Sequence, residues 1–235
     1  MRRRKIYRQS IDLKSVKNKT VVFCIPGRVF SNHFLQSWTE LLAWCSKNNI
    51  TPVFSNGYDA VVYYARNKCL GGNTLKGVNQ KPFQGDIDYD YVMWIDSDMV
   101  FSPSDFSTLL DMDKPIASGI YKMQNNHNYA TVIKMEKNDY MQNGHYDFLD
   151  DKTLNILPDI FRVDYTGFGW ILFKKGVLET LKYPWFRPYW YNFDKNIKEF
   201  TSEDAGICKS LREEGHFIYV NKNLIIGHEK SCILR

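Results

Sequence analysis

The chain of 235 residues has no CxxC pair; its five cysteines, Cys24, Cys45, Cys69, Cys208 and Cys232, are odd in number and widely spaced. That argues against a disulfide framework and against a thiolate zinc site, and it fits reduced thiols in a cytoplasmic protein. No apolar run approaches the ~18 residues of a membrane span. No apolar stretch follows the charged N-terminus, as a secretory signal would require. There is no internal repeat, no low-complexity segment and no linker-like stretch within 20–232. A single domain over 20–235 is therefore expected, preceded by a basic and flexible tail over 1–19.

Charge of one sign is scarce outside that tail. Residues 1–19 hold eight basic side chains against Asp12 alone, a balance of +7 where the whole chain is +5, so the remainder is near −2. Such a tail can make weak contact with an anionic membrane surface, but a short charge run is more often a solvated end. No specific nucleic-acid partner is expected. Aromatics are plentiful at 15% and cluster at Trp185-Phe186 and Tyr189-Trp190-Tyr191. They can stack on bases or sugar rings, or simply fill a core.

Apolar patterning predicts an α/β fold. Thr20–Ile25 is a β-branched and aromatic run stopped by Pro26-Gly27, a buried strand. Residues 32–47 carry apolar positions at 3-and-4 spacing, an amphipathic helix. A strand over 51–55 and a helix over 59–70 follow. This β-α-β-α order predicts a Rossmann-like, mainly parallel central sheet flanked by helices. Further strands are expected at 91–95, 116–121, 170–173, 217–220 and 224–226, and helices at 104–110, 175–181 and 203–214. The stretch 124–158 is polar and irregular, the kind of loop-and-hairpin insertion that carries an acceptor site. Residues 184–200 read as an aromatic loop.

Four short motifs can carry chemistry. Asp96-Ser97-Asp98 ends a buried strand, where open α/β sheets bind ligands. In extended geometry the two carboxylates share a side and suit Mg²⁺ or Mn²⁺; strand-end turns also favour Asp on their own account. Gly167-Phe168-Gly169 lets backbone approach a ligand, or marks a bulge. Thr201-Ser202-Glu203-Asp204 is a helix-capping pattern, and one of its carboxylates can also act as a general base. His228 follows an apolar strand and Gly227, where an imidazole can complete a metal site or be an ordinary loop residue.

The order of these pieces resembles the type A fold of nucleotide-diphospho-sugar glycosyltransferases, over nearly all of 20–230. Ala65-Arg66-Asn67 is similar to a segment of several such enzymes, including small transferases of large DNA viruses and phages. The resemblance implies a Mn²⁺ or Mg²⁺ cofactor held by Asp98, Asp96 and His228, with Asp96 near the ribose. It implies a donor site of Pro26, Gly27 and Arg28 beside the base, Ser97 in the diacid turn, Arg66 on the diphosphate or sugar, and Gly167, Phe168 and Gly169 along the sugar. In inverting members the Asp of the Glu-Asp pair is the base, so Asp204 is the candidate and Glu203 the substitute; retaining chemistry is the lesser variant. The donor would carry uridine diphosphate, with guanosine diphosphate next, and the acceptor would be a glycan, lipid or protein. The location would be the cytoplasm, that of the host cell for a viral member.

Three other readings compete. Asp96 and Asp98 also fit the DxDx[TV] pattern of haloacid-dehalogenase phosphatases, with Asp150-Asp151 as the later acidic pair; yet that motif normally follows the first strand, and here two β-α units precede it. A nucleotidyltransferase wants a glycine- and lysine-rich phosphate loop, for which Pro26-Gly27-Arg28 is too sparse. A non-catalytic carbohydrate-binding module would use aromatics 185–191.

Overall fold

The computed structural model describes residues 18–231; most of the basic tail, and Cys232, lie outside the described residues. Seven strands form the main sheet: β1 (Thr20–Cys24), β2 (Thr51–Ser55), β3 (Tyr91–Ile95), β5 (Ile116–Ile120), β7 (Ile160–Val163), β9 (Trp170–Lys174) and β12 (Ile218–Ile225), in the order β2-β1-β3-β9-β5-β12-β7. Three short two-stranded pieces accompany it: β4 (Met99–Val100) with β13 (Gly227–His228), β6 (Thr131–Val132) with β8 (Tyr165–Thr166), and β10 (Trp190–Asn192) with β11 (Lys198–Phe200). The helices are α1 (Asn32–Lys47), α2 (Val62–Cys69), α3 (Pro103–Asp111), α4 (Lys137–Asn143), α5 (Asp151–Ile156) and α6 (Glu203–Glu213).

Period-two alternation explains how the sheet is covered on both faces. Val21, Phe23 and Ile25 of β1 and its exit pack with Phe34, Leu41 and Cys45 of α1 and Phe106 and Leu109 of α3. Val22 and Cys24 face the other way, with Trp94, Phe186 and Ile207 and Leu211 of α6. Helix ends are locally encoded. Ser31 caps α1 by accepting from the Phe34 amide at 3.1 Å. Ser102 and Asp105 form a capping box on α3, which begins with Pro103.

The sheet is mixed. β1–β2, β1–β3 and β5–β12 pair in parallel, whereas β9 runs antiparallel between β3 and β5, and β7 runs antiparallel at the edge. Apolar runs alone do not encode strand direction. The reversal of β9 has a direct consequence: its start lies beside the end of β3, and the Asp96 amide donates to the Gly169 carbonyl at 3.1 Å.

Several expected elements differ. The insertion 124–158 holds two short helices, α4 and α5, besides β6. Only a 3-10 turn, Leu178–Thr180, forms within 175–181. Residues 217–226 give one bulged strand, β12. The aromatic segment 184–200 divides: Trp185 and Phe186 are buried core, and 190–200 is a hairpin. Trp185, one of the aromatics a carbohydrate-binding module would use, is therefore core.

Asn67 secures the strap that carries Phe186. Its side-chain amide donates to the Phe186 carbonyl at 2.7 Å and to the Tyr63 carbonyl at 2.8 Å, and its oxygen accepts from the Phe186 amide at 3.3 Å. Asn67→Ala leaves buried backbone groups unpaired, so urea unfolding should show a loss of about 1–3 kcal/mol. A loss within error of zero would contradict this role.

Candidate active site

The diacid motif is a turn. The Met99 amide donates to the Asp96 carbonyl at 3.1 Å, closing residues 96–99 on themselves. The two carboxylates therefore do not converge on one point, contrary to the extended-strand expectation. Asp96 turns to Arg66, and Asp98 turns to His228 and Lys230.

Arg66 projects from α2 and is 4% exposed. Its Nη2 donates to Asp96 Oδ2 at 3.1 Å, its Nη1 makes an ion-pair contact with Asp96 Oδ1 at 3.0 Å, and its Nε donates to Glu203 Oε1 at 3.2 Å. The guanidinium lies 5.6–5.8 Å from the ring centroids of Trp94, Phe168 and Phe186. Burial pushes its pKa down, but Asp96 and Glu203 push it up further and keep it charged. Burial, then the neighbouring Asp204, pushes the Glu203 carboxyl up by more than Arg66 pulls it down.

Asp98 sits at the other end of the turn. β13 pairs with β4 in a register that sets His228 opposite Met99 and so beside Asp98. His228 Nδ1 is 2.7 Å from the Lys122 carbonyl, which can only accept, so Nδ1 carries the hydrogen. Its Nε2 lies 3.2 Å from Asp98 Oδ2, and Lys230 Nζ donates to the same oxygen at 2.6 Å. Burial pushes the Asp98 carboxyl up, but the contacts with His228 and Lys230 outweigh it and hold its pKa at about 2. Among the described residues no group of three or more His, Cys, Asp or Glu side chains is arranged to hold a metal. Asp96, turned to Arg66, is not brought into a cluster with Asp98 and His228.

Pro26, Gly27, Arg66, Asp96, Ser97 and Asp98 line one cleft together with Tyr58 and Asp59. Gly27 has φ +153°, and a Cβ there would come within 2.8 Å of Ser97 Cβ. Glycine thus lets the β1 exit abut the diacid turn. Arg28 is exposed and lies 5.6 Å from the Tyr58 ring centroid, beside this cleft.

Gly167, Phe168 and Gly169 are buried and line neither this cleft nor the aromatic pocket beyond it. A Cβ on Gly167 would meet Tyr121 Oη at 2.0 Å, and one on Gly169 would meet Met99 Cε at 2.6 Å. The Gly169 amide donates to Tyr121 Oη at 3.1 Å. The glycines make room for Tyr121, and Phe168 forms a wall around Arg66.

Ser202 caps α6, and Glu203 and Asp204 occupy its first turn. Asp204 Oδ2 accepts from Tyr165 Oη at 2.9 Å, and Oδ1 accepts from the Ala205 amide at 2.8 Å and from the Ser202 hydroxyl. Tyr165, Ser202 and Ala205 also line a second, aromatic pocket walled by Tyr140, Tyr146, Phe148, Tyr191 and Phe193. Asp204 therefore stands between Arg66 and Glu203 on one side and the aromatic pocket on the other. Asp150 and Asp151 are engaged elsewhere: Asp150 caps α5, and Asp151 accepts from Lys122 and Tyr129. The acidic pair that a phosphatase needs is absent from the diacid cleft.

Sequence reasoning missed Tyr121, Tyr165 and Lys230. Tyr121 ends a strand at its ligand-facing edge, and Lys230 lies two residues after His228; both were readable as positions. The Tyr165–Asp204 pairing depends on β8 lying against α6, which no local pattern records.

Neither a protein-family model nor a curated protein matches the chain. Solved structures do. Protein A197 from STIV superposes with a TM-score of 0.50 at 16% identity, over 92% of this chain and 97% of that one. Glucosyl-3-phosphoglycerate synthase from Mycobacterium tuberculosis, solved with Mn²⁺, uridine diphosphate and phosphoglyceric acid, gives 0.46 at 12% identity, over 94% and 74%. The inositol-1-phosphate CTP transferase from T. maritima gives 0.41 at 12% identity, over 86% and 84%. The likeness to protein A197 shows a shared mixed α/β fold over nearly the whole of both chains. No helix among the described residues is long and apolar enough to cross a membrane.

Lys230→Met should move the Asp98 pKa upward from about 2, because a lowering contact is removed. In the wild type, the stability Asp98 contributes is present above its unfolded pKa of about 3.9 and fades as pH falls towards 2. In the variant the contribution should be smaller and its loss complete at a higher pH. Carboxyl NMR titration checks this, and an unmoved Asp98 would contradict the pairing.

Proposed function

We propose that the protein is a glycosyltransferase that moves a sugar from a nucleotide-diphosphate donor to an acceptor hydroxyl. One observation carries the reading: Asp204 accepts from Tyr165, which lines the aromatic pocket, and is next in sequence to Glu203, which pairs with Arg66 of the diacid cleft. Uridine diphosphate is favoured as the donor nucleotide, with guanosine diphosphate second. A hexosyl or deoxyhexosyl donor, used with inversion, completes the reading.

Pro26, Gly27, Tyr58 and Asp59 flank the donor cleft and would take the nucleoside, with Arg28 beside it. Arg66 sits under the cleft with its charge already balanced by Asp96 and Glu203. Its part is to fix those two carboxylates and to add positive potential where the diphosphate leaves. Asp204, oriented by Tyr165 and Ser202, would accept the proton of the acceptor hydroxyl as that oxygen attacks the anomeric carbon and the carbon–phosphate oxygen bond breaks. Glu203, whose Oε1 accepts from Arg66, is the substitute base.

Asp98 and His228 are the residues that would hold Mn²⁺ or Mg²⁺. A carboxylate oxygen and an imidazole nitrogen 3.2 Å apart are a donor set that suits such a cation, whereas Asp96 is committed to Arg66. A bound divalent ion would supply charge neutralisation for the departing diphosphate. Lys230, now on Asp98, would then be free to turn towards the phosphates.

The test separates binding from chemistry. Calorimetry with a panel of nucleotide-sugars, with and without Mn²⁺, should find one donor whose affinity falls at least about tenfold in Asp98→Ala. Asp204→Asn should keep donor affinity while transfer falls by about 10²–10⁴-fold. A folded protein that binds no donor, or an Asp204→Asn variant with wild-type transfer, overturns the reading.

A further inference from the structure

The aromatic pocket beyond Asp204 is apolar to a degree that identifies its occupant. Its walls come from the two segments whose architecture departed most from the sequence pattern, the insertion carrying α4 and the β10–β11 hairpin. Tyr140 of α4 lies flat on Phe193 at 4.1 Å and 4° between ring planes, and Phe193 in turn lies near-parallel to Tyr191 at 5.5 Å. These stacks join the two segments into one wall. Phe148 packs edge-on against Tyr165, whose hydroxyl reaches Asp204.

Three of the polar side chains along the lining already have partners: the Thr201 hydroxyl accepts from the Tyr189 amide, the Ser202 hydroxyl donates to Asp204, and a Glu199 oxygen accepts from the Phe200 amide. The surface that lines the pocket is mostly apolar, so a polyhydroxylated ring placed wholly inside would leave hydroxyls unpaired, and each of those is costly. At the mouth the apolar surface continues outward. Phe200 is 52% exposed and stacks at 3.7 Å on Trp190, which is 58% exposed. Exposed stacked aromatics that run on from an apolar cavity mark a binding surface.

We infer that the acceptor is an amphiphile: it presents a hydroxyl to Asp204 and lays an apolar acyl or aryl group along the pocket towards Phe200 and Trp190. The inference rests on the transferase reading for the role of Asp204, but the pocket's preference for apolar groups stands on its lining alone.

Two glycosides used as binding probes test it, methyl β-glucoside and octyl β-glucoside, the latter kept below its micelle-forming concentration. Calorimetry should show the octyl compound binding at least about tenfold tighter, with a negative heat-capacity change from apolar burial. Phe200→Ser, which removes the exposed apolar ring at the mouth, should abolish that preference, and Tyr191→Ala should reduce it. Donor binding, measured separately, should survive in both variants. Equal affinity for the two glycosides, or no binding of either by a protein that binds its donor, overturns the inference. Octyl preference in a protein that binds no nucleotide-sugar supports the pocket and sinks the transferase reading instead.

Discussion

A single buried guanidinium organises the site. Arg66 is enclosed by Trp94, Phe168 and Phe186 and bridges the Asp96 turn to Glu203 at the start of α6. A charge in that position is stable only with its partners in place, because burial without them costs several kcal/mol per ion. The arginine thus couples the end of β3, α2 and α6. Asn67, next in sequence, secures Phe186 and with it one wall of the cage.

The reversed strand β9 supplies the rest of the arrangement. Running antiparallel between β3 and β5, it carries Gly167–Gly169 to the Asp96 turn, and these glycines leave room for Tyr121. Tyr121 lies edge-on to His228 at 5.0 Å, so the packing behind the glycines reaches the imidazole beside Asp98. On the opposite flank, β8 brings Tyr165 to Asp204. Two spaces result, one lined by charge and backbone and one by aromatic rings, with a carboxylate between them.

Much of this was legible in local pattern. α1 matches its predicted span of 32–47, and the strands at 20, 51, 91 and 116 lie where apolar runs ended by turns placed them. The diacid, Arg66, Glu203, Asp204, Pro26 and Gly27 gather at one end of the sheet, as strand-end positions should. What local pattern withheld depends on partners distant in sequence. The direction of β9 is a matter of pairing. The divergence of Asp96 and Asp98 comes from a turn closed by the Met99 amide and from an arginine thirty residues earlier. The close approach of Tyr121 to Gly167 and Gly169 is likewise invisible in the local pattern. Trp185 and Trp190 look alike in sequence, yet one is core and the other is surface.

The most direct test of Arg66 as the organising charge is a double-mutant cycle with Arg66→Met and Glu203→Gln, read by urea unfolding. The account predicts a coupling of roughly 1–3 kcal/mol, with the arginine substitution the more damaging of the two singles because it leaves two carboxylates unpaired. Additive singles, with a coupling indistinguishable from zero, would show that the Asp96 turn and α6 are held in place by something other than this guanidinium.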